Sequence, residues 1–182
     1  ICQETVLLCT FRSKSQGGEQ QLPEAEYIQL LQNVAESGYA DLLDLEVLAC
    51  GKAPAVIQQL HQAGQKIIGS QHYFSHTPEM VQMQQELQQI QEAGADIGKL
   101  AVMPSNARDV LHLLEATVQL KESCPGYPLV TMAMGGLGTV SRISGQVFGS
   151  CMTFASIGKT SAPGQLAFHD VMLILDKISE SM

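Results

Sequence analysis

Six short apolar runs, at residues 6–11, 42–47, 66–70, 97–103, 129–134 and 152–157, recur along the chain with polar-rich stretches between them. Their length and β-branched content predict strands. The intervening stretches carry apolar residues at helical spacing. After Pro23, positions Tyr27, Leu30, Leu31, Val34 and Ala35 form one stripe that stops at Gly38, a helix with proline at its start and glycine at its end. Thr77-Pro78-Glu79 predicts a second helix, with Thr77 as N-cap, running to Ala93-Gly94. Ser105 is expected to cap a third, striped by Val110, Leu111, Leu114 and Val118. A last helix is expected to begin near Pro163-Gly164 and to carry Leu166, Val171, Leu173 and Ile174.

Strands alternating with helices imply parallel pairing and crossover helices, an α/β chain. Gly135-Gly136-Leu137-Gly138 lacks the order of a dinucleotide-binding loop and has no acidic ribose partner at the right distance. A (β/α) barrel therefore fits better than a doubly wound nucleotide fold. A complete barrel has eight units and about 250 residues. The pattern here shows six of the eight, so residues 1–182 read as one partial (β/α) barrel domain.

Composition narrows the partners. The net charge is −8 and the ten cationic residues are scattered, which argues against nucleic acid or an anionic membrane. A small anionic substrate remains compatible, since one arginine can decide that locally. No apolar run is long enough to span a bilayer. The five cysteines form no C-x-x-C pair and no metal-ligand spacing. Cys9, Cys50 and Cys151 sit in or beside apolar runs, where buried free thiols are the expectation, and a reducing cytoplasm fits.

Barrel chemistry belongs at the C-terminal ends of the strands. Read in order, those ends offer Arg12, Asp44 with Glu46, His72, Lys99, and Met132 with Met134. Strand alternation puts Asp44 and Glu46 on one face, and likewise Ser70 and His72. Lys99 lies among apolar residues after Gly98, where desolvation would favour its neutral amine as a nucleophile toward a ketone. The competing reading is a lysine that extends its ammonium back to water. His72, at a strand end, could move protons near an iminium, or could equally be a turn histidine held by hydrogen bonds. His76 reads as a loop residue.

Thr10-Phe11-Arg12, Asp44-Leu45-Glu46, Lys99-Leu100-Ala101-Val102-Met103-Pro104, Thr131-Met132-Ala133-Met134, Ser141-Arg142-Ile143-Ser144-Gly145, Val147-Phe148-Gly149-Ser150 and Ser161-Ala162-Pro163-Gly164-Gln165 occur in that order over nearly the whole chain. This series resembles the type I 3-dehydroquinate dehydratases, TIM-barrel (β/α)8 enzymes of the shikimate pathway that serve aromatic amino-acid biosynthesis. The resemblance implies a Schiff base between Lys99 and the C3 ketone of 3-dehydroquinate, and His72 as the group that moves the C2 proton to the leaving hydroxyl in a syn elimination. It implies Arg142 on the substrate carboxylate, Met132 and Met134 as pocket walls, and Phe154 as an apolar contact. Ser161 and Gln165 would reach in from a closing loop, and Arg12 and Glu46 would form the polar floor. It also implies no metal, no organic cofactor, and a homodimer.

Two departures from the family pattern stand out. Where the family carries a glutamate that orients or tunes the catalytic histidine, this chain has Gln16, before Gly17-Gly18. The family also precedes Thr-Phe-Arg with two βα units, the second bearing a Glu-x-Arg strand, so the chain reads as an N-terminally truncated copy with two exposed sheet edges. A class I aldolase would share a strand-borne lysine but not the Ser141-Arg142 and Ser161–Gln165 signatures together. A catalytically weak barrel remnant acting as a binding scaffold is the alternative from another class.

Overall fold

The computed structural model describes residues 5–181, so Cys2 lies outside the described residues. Two compact units divide them. The first runs to His72 and takes in Glu86–Lys99; the second comprises Tyr73–Gln85 and the chain from Leu100 onward.

The first unit contains β1 (Leu8–Thr10), α1 (Glu24–Ser37), β2 (Leu42–Leu45), α2 (Ala53–Gln62) and β3 (Lys66–His72). It also holds the later part of α3 (Met80–Glu92) and the opening of β4 (Ile97–Val102). β1 pairs in parallel with β2, placing Thr10 beside Asp44, and β2 pairs in parallel with β3, placing Leu45 beside Gly69. Leu43, Leu45, Ile67 and Ile68 are fully buried, and so, to within a few per cent, are Val56, Ile57 and Leu60 on the inner face of α2. That apolar layer supplies the main stabilisation, at roughly 25 cal/mol per Å² removed from water. α1 follows its sequence signals closely: Pro23 precedes its first turn, Glu24 and Glu26 face the positive end of the helix dipole, and Gly38 ends it with φ 68°. Gly69 is required by space. A Cβ there would stand 2.5 Å from Ile90 Cγ2 and 2.7 Å from Ala95 Cβ.

The second unit contains the start of α3, the end of β4, α4 (Ala107–Ser123), β5 (Leu129–Ala133), α5 (Gly135–Ser144) and α6 (Phe168–Ser179). All of β5 is buried, as expected for a parallel strand covered on both faces. The strand order is β1-β2-β3-β4-β5.

Several expectations are corrected. Residues 152–157 do not form a sixth strand. Ser150 bridges to Leu129, but farther on the backbone bonds turn to the chain just before α6: Ser156 N–H donates to Leu166 O and Phe168 N–H to Ser156 O. Asn106, not Ser105, caps α4, its Oδ1 accepting from Arg108 N–H and Asp109 N–H; Ser105 instead donates to Asp109. Leu111 is exposed, and Leu113 and Thr117 take the inner face in its place. α3 begins at Met80, and the buried hydroxyl of Thr77 caps nothing. α6 starts at Phe168, after residues that form a loop around Pro163. Cys50 is buried and Cys9 half-buried, but Cys151 is exposed, because its segment leaves the sheet. Two helices, α2 and α5, follow strands where no stripe was read.

Candidate active site

In the first unit, four strands deliver polar side chains to one cluster with Asp44 at its centre. Asp44 is wholly buried, and its two carboxylate oxygens are divided between two cations: Oδ1 lies 2.8 Å from Arg12 Nη2, and Oδ2 accepts from Lys99 Nζ at 3.0 Å. Ser70, two residues before His72 on β3, donates to Asp44 Oδ1 at 2.6 Å and accepts from Arg12 Nη1 at 3.0 Å. Glu46 takes the other side of the guanidinium at 2.8 Å, and also accepts from Ser13 N–H. Its own backbone N–H donates to the hydroxyl of Tyr27 on α1, whose pKa burial drives upward. Arg12 thus ties the end of β1 to β2 and β3, a planar fork used on three acceptors at once.

Lys99 is only 6% exposed, so its ammonium does not reach back to water. Burial lowers its pKa, opposed by the Asp44 carboxylate and helped by the Arg12 charge. For Asp44, burial pushes upward, but Lys99, Arg12 and His72 together bring the carboxyl down to about 2. His72 is drawn down to about 2 by burial and by the positive charges of Arg12 and Lys99, against the pull of Asp44. A neutral imidazole beside a lysine with a depressed pKa is the pairing that amine attack and proton abstraction require. His72 Nδ1 stands 3.0 Å from Oε1 of Gln16, which occupies the short 3-10 turn Lys14–Gln16 after β1.

In the second unit, Arg142 on α5 is 2% exposed. Its Nη1 lies 3.5 Å from Met132 Sδ, its Nη2 donates to Pro163 O at 3.2 Å, and its Nε has no partner. Met132 and Met134 are buried at the end of β5. The Pro163 carbonyl also accepts from Gly135 N–H, so the 161–165 loop is held to the first turn of α5. Ser161 and Gln165 bond to one another: Ser161 N–H donates to Gln165 Oε1 at 2.8 Å, and Gln165 Nε2 donates to Ser161 Oγ at 3.0 Å. Phe154 is half-buried in the segment before them.

Of the sequence candidates, Arg12, Glu46 and Lys99 thus join one bonded cluster in the first unit, with His72 within electrostatic reach of it. Met132, Met134, Arg142, Ser161 and Gln165 belong to the second unit, with Phe154. Asp44 was visible at its strand end beside Glu46, and Ser70 only as the face-mate of His72. The signal that marks them is an ionisable or polar residue in a run that is otherwise apolar.

A family model described as Type I 3-dehydroquinase matches residues 1–182. The chain is 43% identical over 174 residues to a 3-dehydroquinate dehydratase of Klebsiella pneumoniae, covering 95% of this chain and 69% of the relative. Among solved structures, the 3-dehydroquinate dehydratase of Geobacillus kaustophilus aligns with a TM-score of 0.93 at 38% identity, over 96% of this chain and 68% of that one. The type I enzyme of Clostridium difficile, solved with covalent modified comenic acid, aligns with a TM-score of 0.94 at 37% identity, over 99% and 71%.

Proposed function

Because the chain belongs to the type I 3-dehydroquinase family, we propose that it dehydrates 3-dehydroquinate to 3-dehydroshikimate through a Schiff base on Lys99. The observation that carries this reading is the state of Lys99: buried on β4, lowered in pKa, and set between Asp44 and the reach of His72.

The deprotonated amine of Lys99 adds to the C3 carbonyl, and loss of water leaves an iminium. That cation acts as an electron sink for the C2–H bond, so a neutral imidazole is a sufficient base. His72 takes the C2 proton, and the electron pair moves into the iminium to form an enamine. The enamine pair then expels the C1 hydroxyl, which leaves as water with the proton carried by His72. Hydrolysis of the conjugated iminium releases 3-dehydroshikimate and restores Lys99. Asp44 stays ionised throughout and offsets the positive charge that the lysine nitrogen carries in each iminium. Arg142 would hold the substrate carboxylate, with Met132, Met134 and Phe154 as apolar walls. Ser161 and Gln165 would contribute polar contacts from their loop, and Arg12 and Glu46 would keep Asp44 in place.

The same reading treats residues 1–182 as one partial (β/α) barrel domain, acting in the cytoplasm, without metal or organic cofactor, as a homodimer. Among the described residues no helix is long and apolar enough to cross a membrane. Borohydride reduction in the presence of 3-dehydroquinate tests the chemistry. A stable mass increase located on the peptide containing Lys99 is expected; labelling elsewhere, or none, would remove the proposal.

A further inference from the structure

Gln16 is 4% exposed, and both ends of its amide are occupied. Oε1 faces His72 Nδ1 at 3.0 Å, while Nε2 donates to Oε1 of Gln71 at 3.1 Å. An amide nitrogen can only donate, so in this arrangement, with Gln71 presenting its oxygen, Nε2 of Gln16 is taken up and Oε1 is left for the imidazole. With Oε1 turned to the ring, His72 Nδ1 must carry the hydrogen. In water a neutral histidine prefers the other tautomer, with hydrogen on Nε2, so the fold has to impose this one.

We infer that Gln71, acting through Gln16, is a positioning residue that holds His72 as its Nδ1–H tautomer and leaves Nε2 as the free basic nitrogen. This rests on the reading of His72 as the proton carrier at Lys99. It gives the Gln16 departure a chemical meaning. A neutral amide fixes the tautomer as well as a carboxylate would, but adds no negative charge to stabilise an imidazolium. The charged groups acting on His72 are Arg12 after β1, Asp44 on β2 and Lys99 on β4, and those cations are already matched by Asp44 and Glu46. The 3-10 turn that bears Gln16 contributes only the exposed Lys14. His72 is thereby kept as a neutral base over a wider acidic range than it would have beside a carboxylate.

Long-range proton–nitrogen correlation spectra of the ¹⁵N-labelled chain at neutral pH test this without requiring turnover. His72 is assigned by the loss of its signals in H72Q. The expected spectrum shows a hydrogen-bearing Nδ1 and a bare Nε2; a dominant Nε2–H form overturns the inference. In Q71L and Q16L the Nδ1–H form should lose its majority. Q16E should keep it and raise the titration midpoint of His72 by about one to three pH units, as a new neighbouring carboxylate does. An unchanged tautomer in Q71L, or an unmoved midpoint in Q16E, also overturns it. Resonances of His61, paired with Asp96 at 2.8 Å in the same unit, report whether each variant is folded. Should a leucine variant unfold, Q71K decides the matter: a side chain that can only donate should turn the Gln16 amide around, and an unchanged tautomer there overturns the inference. Borohydride trapping on the same samples separates the two readings. Trapping with the wrong tautomer sinks only the role of the glutamines, whereas the right tautomer without trapping sinks the dehydratase assignment.

Discussion

The chemistry divides between two side chains whose loss should look different. Lys99→Ala should abolish both borohydride trapping and turnover, and Lys99→Arg should fail equally, because a guanidinium forms no imine with a ketone. Turnover by either variant near the unaltered rate would exclude the covalent route. His72→Ala should still form the imine, since attack needs only the amine. Proton transfer should then slow by about 10² to 10⁴-fold, so the adduct accumulates and trapping increases in yield. Loss of trapping in that variant would show that His72 also serves imine formation. Both expectations depend on Asp44, whose two oxygens hold Arg12 and Lys99. Removing one partner of a buried ion pair typically costs about 3–5 kcal/mol, so Asp44→Ala is expected to test folding before it tests catalysis.

At the scale of elements, the site depends on how closely β3 approaches its neighbours. Gly69 sits one residue before Ser70 and three before His72, with Ile90, Ala95 and Val47 closing over it. Gly69→Ala should overpack that layer, costing about 1–3 kcal/mol in denaturant unfolding and displacing the end of β3 that carries the histidine. An unchanged midpoint would mean that the layer yields without strain. The same elements show what could be read beforehand. β2 to β5 were legible from apolar runs, because a parallel strand buried on both faces needs little else. α1 was legible because a proline, an apolar stripe and a glycine agree. α5 was not: its first turn is Gly135-Gly136-Leu137-Gly138, which reads as loop. Gly138 is there because a Cβ would collide with the carbonyl of Ala133, a tertiary constraint with no local signature. The segment 152–157 failed in the opposite sense: its local pattern suits a strand, but its backbone bonds to the chain before α6. Arg12, Lys99 and His72 were legible as ionisable groups in or beside apolar runs. Asp44 as their common partner required the register that sets Thr10 beside it.

For the molecule as a whole, the buried site carries a signature in the pH dependence of stability. His72 is held near 2 in the folded chain against an ordinary value of 6.5, so its folded pKa lies below its unfolded one. Between those values the unfolded chain binds one proton more, and stability must fall as the pH falls, by about 1.4 kcal/mol per pH unit. Asp44 is also depressed, from 3.8 to about 2, through the opposing charges of Lys99 and Arg12. Its contribution is present above its unfolded value and is lost as the pH drops from about 4 toward 2. Two protons then separate the states, and the slope should steepen to about 2.7 kcal/mol per unit. Asp96, lowered by its bonds to Lys66, Ile67 N–H and His61, adds in the same direction below 4. Denaturant unfolding of the intact chain between pH 7 and 4.5 avoids those carboxylates, and the lowered Lys99 is common to the intact chain and a His72 variant, so the difference between the two reads the histidine. Stability should decline steadily over that interval, and His72→Gln, which keeps a neutral polar group, should flatten the decline by about one proton's worth. Equal slopes in the two proteins would mean that His72 titrates freely in the folded state. Burial and the charges of Arg12 and Lys99 would then not govern its protonation in the folded chain.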